Sequence, residues 1–88
     1  MIRLRDFGYY PQCKKEIAKH TRKNSELEKA LREKIRHILE NPEIFKPMHA
    51  PLAGLRRVHI LKSHVLLYKI EAGRVVFVRF AHHDEAYA

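Results

Sequence analysis

The chain has 88 residues, enough for one small domain, and 45% of them are apolar, which excludes a disordered or fibrous protein. Lysine and arginine number 18 against 10 acidic residues, so the net charge is +8. This balance favours a polyanionic partner such as nucleic acid, although a solvated basic surface or an acidic protein partner would also account for it. Because Cys13 is the only cysteine and neither a signal peptide nor a membrane-length apolar run occurs, we expect a cytoplasmic protein, one domain over residues 1–88, with no disulfide and no membrane contact.

The N-terminal quarter predicts a strand followed by a helix. Apolar and basic residues alternate over residues 2–5, which is typical of a short strand with one apolar face. Within residues 10–22, Tyr10, Cys13 and Ile17 recur at helical spacing, so this stretch predicts the first helix.

A second helix is predicted from its start signal, its apolar stripe and its stop signal. Ser25 followed three residues later by Glu28 forms a capping box. The apolar stripe consists of Leu27, Leu31, Ile35, Ile38 and Leu39. Asn41-Pro42 ends the helix, and the prolines that follow predict an irregular loop over residues 41–53, longer than usual for a domain of this size. Long loops in small domains are often functional.

Three strands are predicted in the second half, over residues 55–61, 65–70 and 75–80, which are rich in β-branched and aromatic residues. Only short turn-like segments separate them, so they should form an antiparallel meander. The element order β-α-α-β-β-β predicts an α+β fold in which the helices cover one face of the sheet.

The alternation of side chains along these strands predicts a cationic face. In the strand over 55–61, Val58 and Ile60 share one face, and Arg57 and His59 share the other. In the last strand, the expected opposing sets are Val76, Val78 and Phe80 against Val75, Phe77 and Arg79. Residues 44–83 hold seven basic residues, one acid and five of the seven histidines. The sequence therefore predicts a basic sheet face that ends in histidines.

Four segments in this half resemble successive motifs of a known toxin superfamily. They are HAPLAG at 49–54, VHI at 58–60, VLLYKI at 65–70 and RFAHHDEAY at 79–87. In this order they are similar to the RelE/ParE superfamily of type II toxin-antitoxin systems, and most to its histidine-bearing RelE-type branch. The resemblance implies a RelE-like fold and a ribosome-dependent mRNA interferase that inhibits translation by metal-independent attack of the RNA 2′-hydroxyl. It also implies a RelB-like antitoxin, in a hetero-oligomer with the toxin, and ribosome-bound mRNA as partners. No cofactor and no metal site is expected.

Motif position implies that His49, His59, His83 and Tyr87 are the catalytic residues. Attack by the 2′-hydroxyl needs a base, an acid for the leaving 5′-oxygen and a cation beside the phosphorane. Histidine can fill the first two roles near neutral pH, because its unperturbed pKa is about 6.5. Arg79 is the expected cation. The expected substrate contacts are Lys46, Arg56, Arg57, Lys62, His64 and His82.

The chain departs from the branch at two positions. Ser63 stands where the branch usually has an aspartate, and the catalytic arginine of the basic branch would fall at Val65, so His64 or Asp84 would have to substitute. Two other functions remain open: a ParE-like poison of DNA gyrase, and a catalytically inert module of the same fold that binds RNA or protein. Each histidine also has a structural alternative as a solvated or strand-capping residue.

Overall fold

The computed structural model describes residues 6–50 and 54–85, and in them six elements follow one another along the chain. They are β1 (Phe7–Tyr9), α1 (Pro11–Thr21), α2 (Ser25–Glu40), β2 (Arg56–Ile60), β3 (His64–Glu71) and β4 (Arg74–His82). This is the predicted order. The strand predicted over residues 2–5 lies outside the described residues, and the first strand that the structure describes is β1.

Both helices begin and end where local chemistry favours it. Pro11 opens α1, where its missing N–H costs no hydrogen bond. The prediction that Ser25 caps α2 is wrong by one residue: the cap is Asn24, whose side-chain oxygen accepts the N–H of Leu27 at 3.1 Å. The helix ends at Glu40, immediately before Asn41-Pro42, as predicted.

The four strands form one sheet in the order β1-β4-β3-β2. The predicted antiparallel meander β2-β3-β4 is confirmed, and β1 adds to it parallel to β4. The β3–β4 hairpin turns at Ala72-Gly73, both with positive φ (52° and 78°), which suits the right-handed twist of the flanking strands.

Both helices pack on one face of this sheet, as predicted. The core cluster joins α1 through Cys13 and α2 through its apolar stripe to the inward residues of the sheet. Those sheet residues are Val58, Ile60, Leu66, Tyr68, Val75, Phe77 and Phe80. We call this side of the sheet the helix side. No helix among the described residues is long and apolar enough to cross a membrane.

One prediction about β4 is wrong, and a β-bulge is the reason. Leu67 pairs with Arg79 whereas Tyr68 pairs with Phe77, so Val78 is an extra residue in β4. The extra residue reverses the alternation, and Phe80 lies in the core with Phe77 instead of opposite to it. The bulge thereby sets the direction of every residue from Arg79 to the end of the strand.

Candidate active site

The face of the sheet opposite the helices, which we call the outer face, carries two rows of paired residues. One row is His59, Val65 and Ala81, and the next is Arg57, Leu67 and Arg79. Residues paired across neighbouring strands share a face, so the rows extend across β2, β3 and β4. The predicted opposition of Arg57 and His59 to Val58 and Ile60 is confirmed, since the first two are exposed and the last two are buried.

Two histidines meet on the outer face. The rings of His59 and His83 stack with centroids 5.4 Å apart and planes inclined by 28°. Val65 lies on β3 between them and is completely buried. Val65 pairs with His59 on one side and with Ala81 on the other, and its side chain is apolar. Both rings belong to exposed residues and can reach a ligand in solvent.

The backbone around His83 is held at the end of β4. Its N–H donates to the carbonyl of Ser63 at 2.7 Å, which continues the β3–β4 ladder by one step. Asp84 lies beside both adjacent histidines, with one carboxylate oxygen 3.7 Å from His82 Nδ1 and the other 3.7 Å from His83 Nδ1. Asp84 can therefore orient His83 when that ring is protonated.

The loop after α2 brings further basic residues to the outer face. It is fixed to the sheet because the buried Tyr68 hydroxyl donates to the Pro42 carbonyl at 2.8 Å and the Arg56 guanidinium donates to the Phe45 carbonyl at 2.6 Å. Met48 N–H also donates to the Leu55 carbonyl at 2.8 Å. A groove results, lined by Lys46, Pro47, Met48, His49 and Arg57. The structure thus places His49 and Lys46 beside Arg57.

Arg79, the expected catalytic cation, is committed to an ion pair. Its Nε and Nη2 atoms contact the carboxylate of Glu16 on α1 at 2.9–3.2 Å, and the same carboxylate accepts the N–H of Phe80 at 3.0 Å. Burial alone would raise the pKa of Glu16, but the hydrogen bonds from Arg79, Phe80 and Gln12 and the charge of Arg79 outweigh it and hold the pKa below its usual value. The ion pair joins α1 to β4, so Arg79 stabilises the packing of the helix against the sheet.

Three other predicted site residues lie on the helix side of the sheet. Arg56 lies on the same side as its partner Tyr68, and its guanidinium donates to the Phe45 carbonyl. His64 is buried on this side, with 8% of its surface exposed. His82 pairs with His64 and is directed to the same side. Lys62 is exposed in the turn between β2 and β3. Tyr87 lies outside the described residues.

Glu16 was not anticipated from the sequence. It is the only acidic residue of α1, among several lysines, and such an isolated acid on a basic helix is the signal that would have suggested a tertiary ion pair. Among residues 6–50 and 54–85, no group of three or more His, Cys, Asp or Glu side chains is arranged to hold a metal ion.

Comparison with known proteins agrees with the fold. Residues 10–87 match the family described as "ParE toxin of type II toxin-antitoxin system, parDE". A Methanocaldococcus jannaschii protein described as "Putative toxin RelE4" is 35% identical over 79 residues, 88% of this chain and 84% of that protein.

Two solved structures are similar at lower identity. The YoeB/ParE toxin from Agrobacterium tumefaciens has a TM-score of 0.81 at 14% identity, over 89% of this chain and 98% of its own. A chain of the toxin-antitoxin complex RelBE2 from Mycobacterium tuberculosis has a TM-score of 0.73 at 20% identity, over 92% of this chain and 100% of its own. These likenesses confirm the RelE-like fold. Since the family match spans nearly the whole chain, the protein belongs to the ParE toxin family of type II toxin-antitoxin systems, within the RelE/ParE superfamily.

Proposed function

We propose that this toxin is an endoribonuclease that cuts ribosome-bound mRNA by attack of the RNA 2′-hydroxyl and so inhibits translation. The observation that carries the proposal is the stacked pair of His59 and His83 on the basic outer face. The exposed Arg57 lies in the neighbouring row of paired residues. Acid-base groups, a cation and solvent access occur together there, which is what this chemistry requires.

In the proposed reaction one histidine removes the proton of the 2′-hydroxyl while the oxygen attacks the adjacent phosphorus. The bond from phosphorus to the 5′-oxygen breaks, and the other histidine, protonated, gives its proton to that leaving oxygen. The products are a 2′,3′-cyclic phosphate and a 5′-hydroxyl, and the proton balance needs no further reactant. DNA lacks the attacking hydroxyl and would remain intact.

Arg57 is the residue we assign to stabilise the negative charge of the phosphorane. Arg79 is less suitable, because Glu16 already occupies its guanidinium. His49 and Lys46 share a groove with Arg57, so they are placed to bind phosphates or a base next to the cleaved bond. Lys62 would add to the attraction for the RNA backbone, a contribution that salt weakens.

We further propose that a RelB-like antitoxin binds this protein in a hetero-oligomer. The support is that a related chain is found in the toxin-antitoxin complex RelBE2 and that a basic surface favours an acidic, partly disordered partner that orders on binding. Such a partner would cover the outer face or displace the C-terminal segment.

A gyrase poison is the second candidate, because the matching family is named for ParE. A poison of this kind would act by binding and would not need an acid-base pair. The stacked histidines therefore favour the ribonuclease.

The test compares wild-type protein, His59→Ala and His83→Ala in two reactions. In a translation extract with a defined mRNA, the wild type should produce discrete fragments and both variants should produce far fewer. In a reaction with purified DNA gyrase and supercoiled DNA, none of the three should trap breaks. Trapped breaks without mRNA fragments would establish the second candidate instead, and neither product would favour an inert module.

A further inference from the structure

Three histidines on the helix side form a second cluster, which the proposed chemistry does not use. His64, the first residue of β3, is buried and stacks on Phe80 with ring centroids 5.3 Å apart. His20 from α1 meets the His64 ring edge-on at 4.9 Å, and His82 from the end of β4 meets it edge-on at 5.4 Å. A buried histidine with this many ring neighbours is fixed in orientation.

A chain of hydrogen bonds connects this cluster to His83 on the outer face. His64 Nε2 lies 3.3 Å from His20 Nδ1, and His64 Nδ1 lies 2.7 Å from the hydroxyl oxygen of Ser63. The carbonyl of the same serine accepts the N–H of His83 at 2.7 Å. Ser63 thus contacts His64 with its side chain and His83 with its backbone.

We propose that Ser63 and His64 are positioning residues for His83, an assignment that rests on the proposed ribonuclease function. Ser63 ends a three-residue turn that begins at Leu61, which has a positive φ of 55° and is strained for a non-glycine residue. The hydrogen bond to the buried His64 ring keeps this turn in one conformation. The Ser63 carbonyl then holds the backbone of His83 in place. The Ser63 hydroxyl contacts His64. At the position where the histidine-bearing branch usually has an aspartate, Ser63 therefore anchors the turn and does not act as an acid or a base.

A neutral His64 ring satisfies both hydrogen bonds of this chain. In either tautomer one ring nitrogen donates and the other accepts, because the Ser63 hydroxyl and His20 Nδ1 can each take either role. Burial lowers the pKa of His64, the charges of His20 and His82 lower it further, and Glu85 opposes them. The ring therefore stays neutral at pH 7.

The size of the effect follows from the precision that proton transfer needs. A displacement of about 1 Å at a reacting group costs up to about 100-fold in rate. Loss of the anchor should therefore lower kcat by about 10- to 100-fold and change KM by less than about threefold, because the basic residues that bind RNA are not moved.

The test uses Ser63→Ala, which removes the hydroxyl, Ser63→Thr, which keeps it, and His64→Phe, which keeps the stack on Phe80 and removes both hydrogen bonds. Ile35→Ala on α2 serves as a control for loss of stability alone. Hydrogen exchange of the His83 amide is followed by NMR at pH 7, and multiple-turnover cleavage of ribosome-bound mRNA gives kcat and KM. In Ser63→Ala and His64→Phe the His83 amide should exchange at least about 10-fold faster than in wild type, with kcat reduced as above, and Ser63→Thr should restore both.

The outcomes separate this assignment from the function on which it rests. If wild-type protein cuts mRNA but the His83 amide and kcat in Ser63→Ala and His64→Phe match those of Ile35→Ala, the positioning role is wrong and the ribonuclease stands. If wild-type protein cuts no mRNA, the proposed function fails and the assignment fails with it, whatever the exchange rates. A fall in kcat that Ser63→Thr does not restore would also overturn the role of the hydroxyl.

Discussion

The rings of His59 and His83 stack 5.4 Å apart on the outer face, although the two residues belong to opposite edges of the β2-β3-β4 meander. Val65, on the strand between them, is buried and carries no group that could take part in proton transfer. The contact therefore joins two acid-base groups that are distant in the chain into one pair.

A pair that acts as a unit should show strong non-additivity. His59→Ala and His83→Ala should each slow cleavage of ribosome-bound mRNA by about 10²- to 10⁴-fold, about 3 to 5 kcal/mol of barrier. The double variant should be little slower than either single variant, because losing one group already disables the other. Single-turnover rates of the four proteins measure this. Purely additive losses would mean that the two histidines act independently, and unchanged rates would remove them from the site.

The two arginines of the neighbouring row should respond differently to substitution. Arg57→Gln should slow cleavage and lower the melting temperature less than Arg79→Gln does, because contacts of an exposed side chain contribute little to stability. Arg79→Gln should lower the free energy of unfolding by about 1 to 2 kcal/mol, because Glu16 would keep a largely buried carboxylate without its charged partner. For a domain of this size that is a fall of roughly 4 to 16 °C in Tm.

Thermal unfolding and cleavage rates measured on both variants decide between these roles. Each arginine is the matched control for the other, because both are replaced by the same amide in the same row of paired residues. A stable Arg79→Gln that is catalytically dead would restore the original expectation that Arg79 is the catalytic cation.

His64 should make the fold sensitive to mild acid. Burial lowers its pKa, so below about pH 6.5 the unfolded chain takes up a proton that the folded protein does not. The stabilisation from keeping this ring neutral is fully present above pH 6.5 and decreases as the pH falls below that value. The Tm of wild-type protein should therefore fall from pH 7.5 to pH 5.5 by more than the Tm of His64→Phe.

Differential scanning calorimetry at the two pH values checks this. Leu31→Val, which loses core packing and has no titratable group, is the control for a general loss of stability. Parallel behaviour of wild type, His64→Phe and Leu31→Val would show that His64 does not couple folding to pH.

Features that depend on neighbouring residues could be predicted from the sequence. Two such features are the apolar stripe of α2 and its end before Asn41-Pro42. A third is the alternation of Arg57 and His59 with Val58 and Ile60. Each of these local patterns is typical of only one kind of secondary structure. The helix cap was missed by one residue, because Asn24 and Ser25 are both good capping residues and only the backbone conformation decides between them.

Features that depend on tertiary register could not be predicted. The bulge at Val78 reverses the faces of β4, and nothing in the residues of that strand distinguishes the bulged from the regular pairing. The contact of His20 with His64 joins α1 to β3, two elements that are far apart in the chain, so no local pattern indicates it. The proposed site is similar: the sequence suggested His59 and His83 separately, and the structure brings their rings together.

The ends of the cleaved RNA test the central claim most directly. Ribosome-bound mRNA is cut by the purified wild-type toxin, and the termini of the fragments are identified by mass spectrometry and by their reactivity with polynucleotide kinase. Transfer of the phosphate to the 2′-oxygen predicts a 2′,3′-cyclic phosphate, or the phosphate formed by its hydrolysis, on the upstream fragment and a 5′-hydroxyl on the downstream fragment. Downstream fragments that carry a 5′-phosphate would contradict the mechanism, because attack by the 2′-hydroxyl cannot leave a phosphate on the 5′-oxygen.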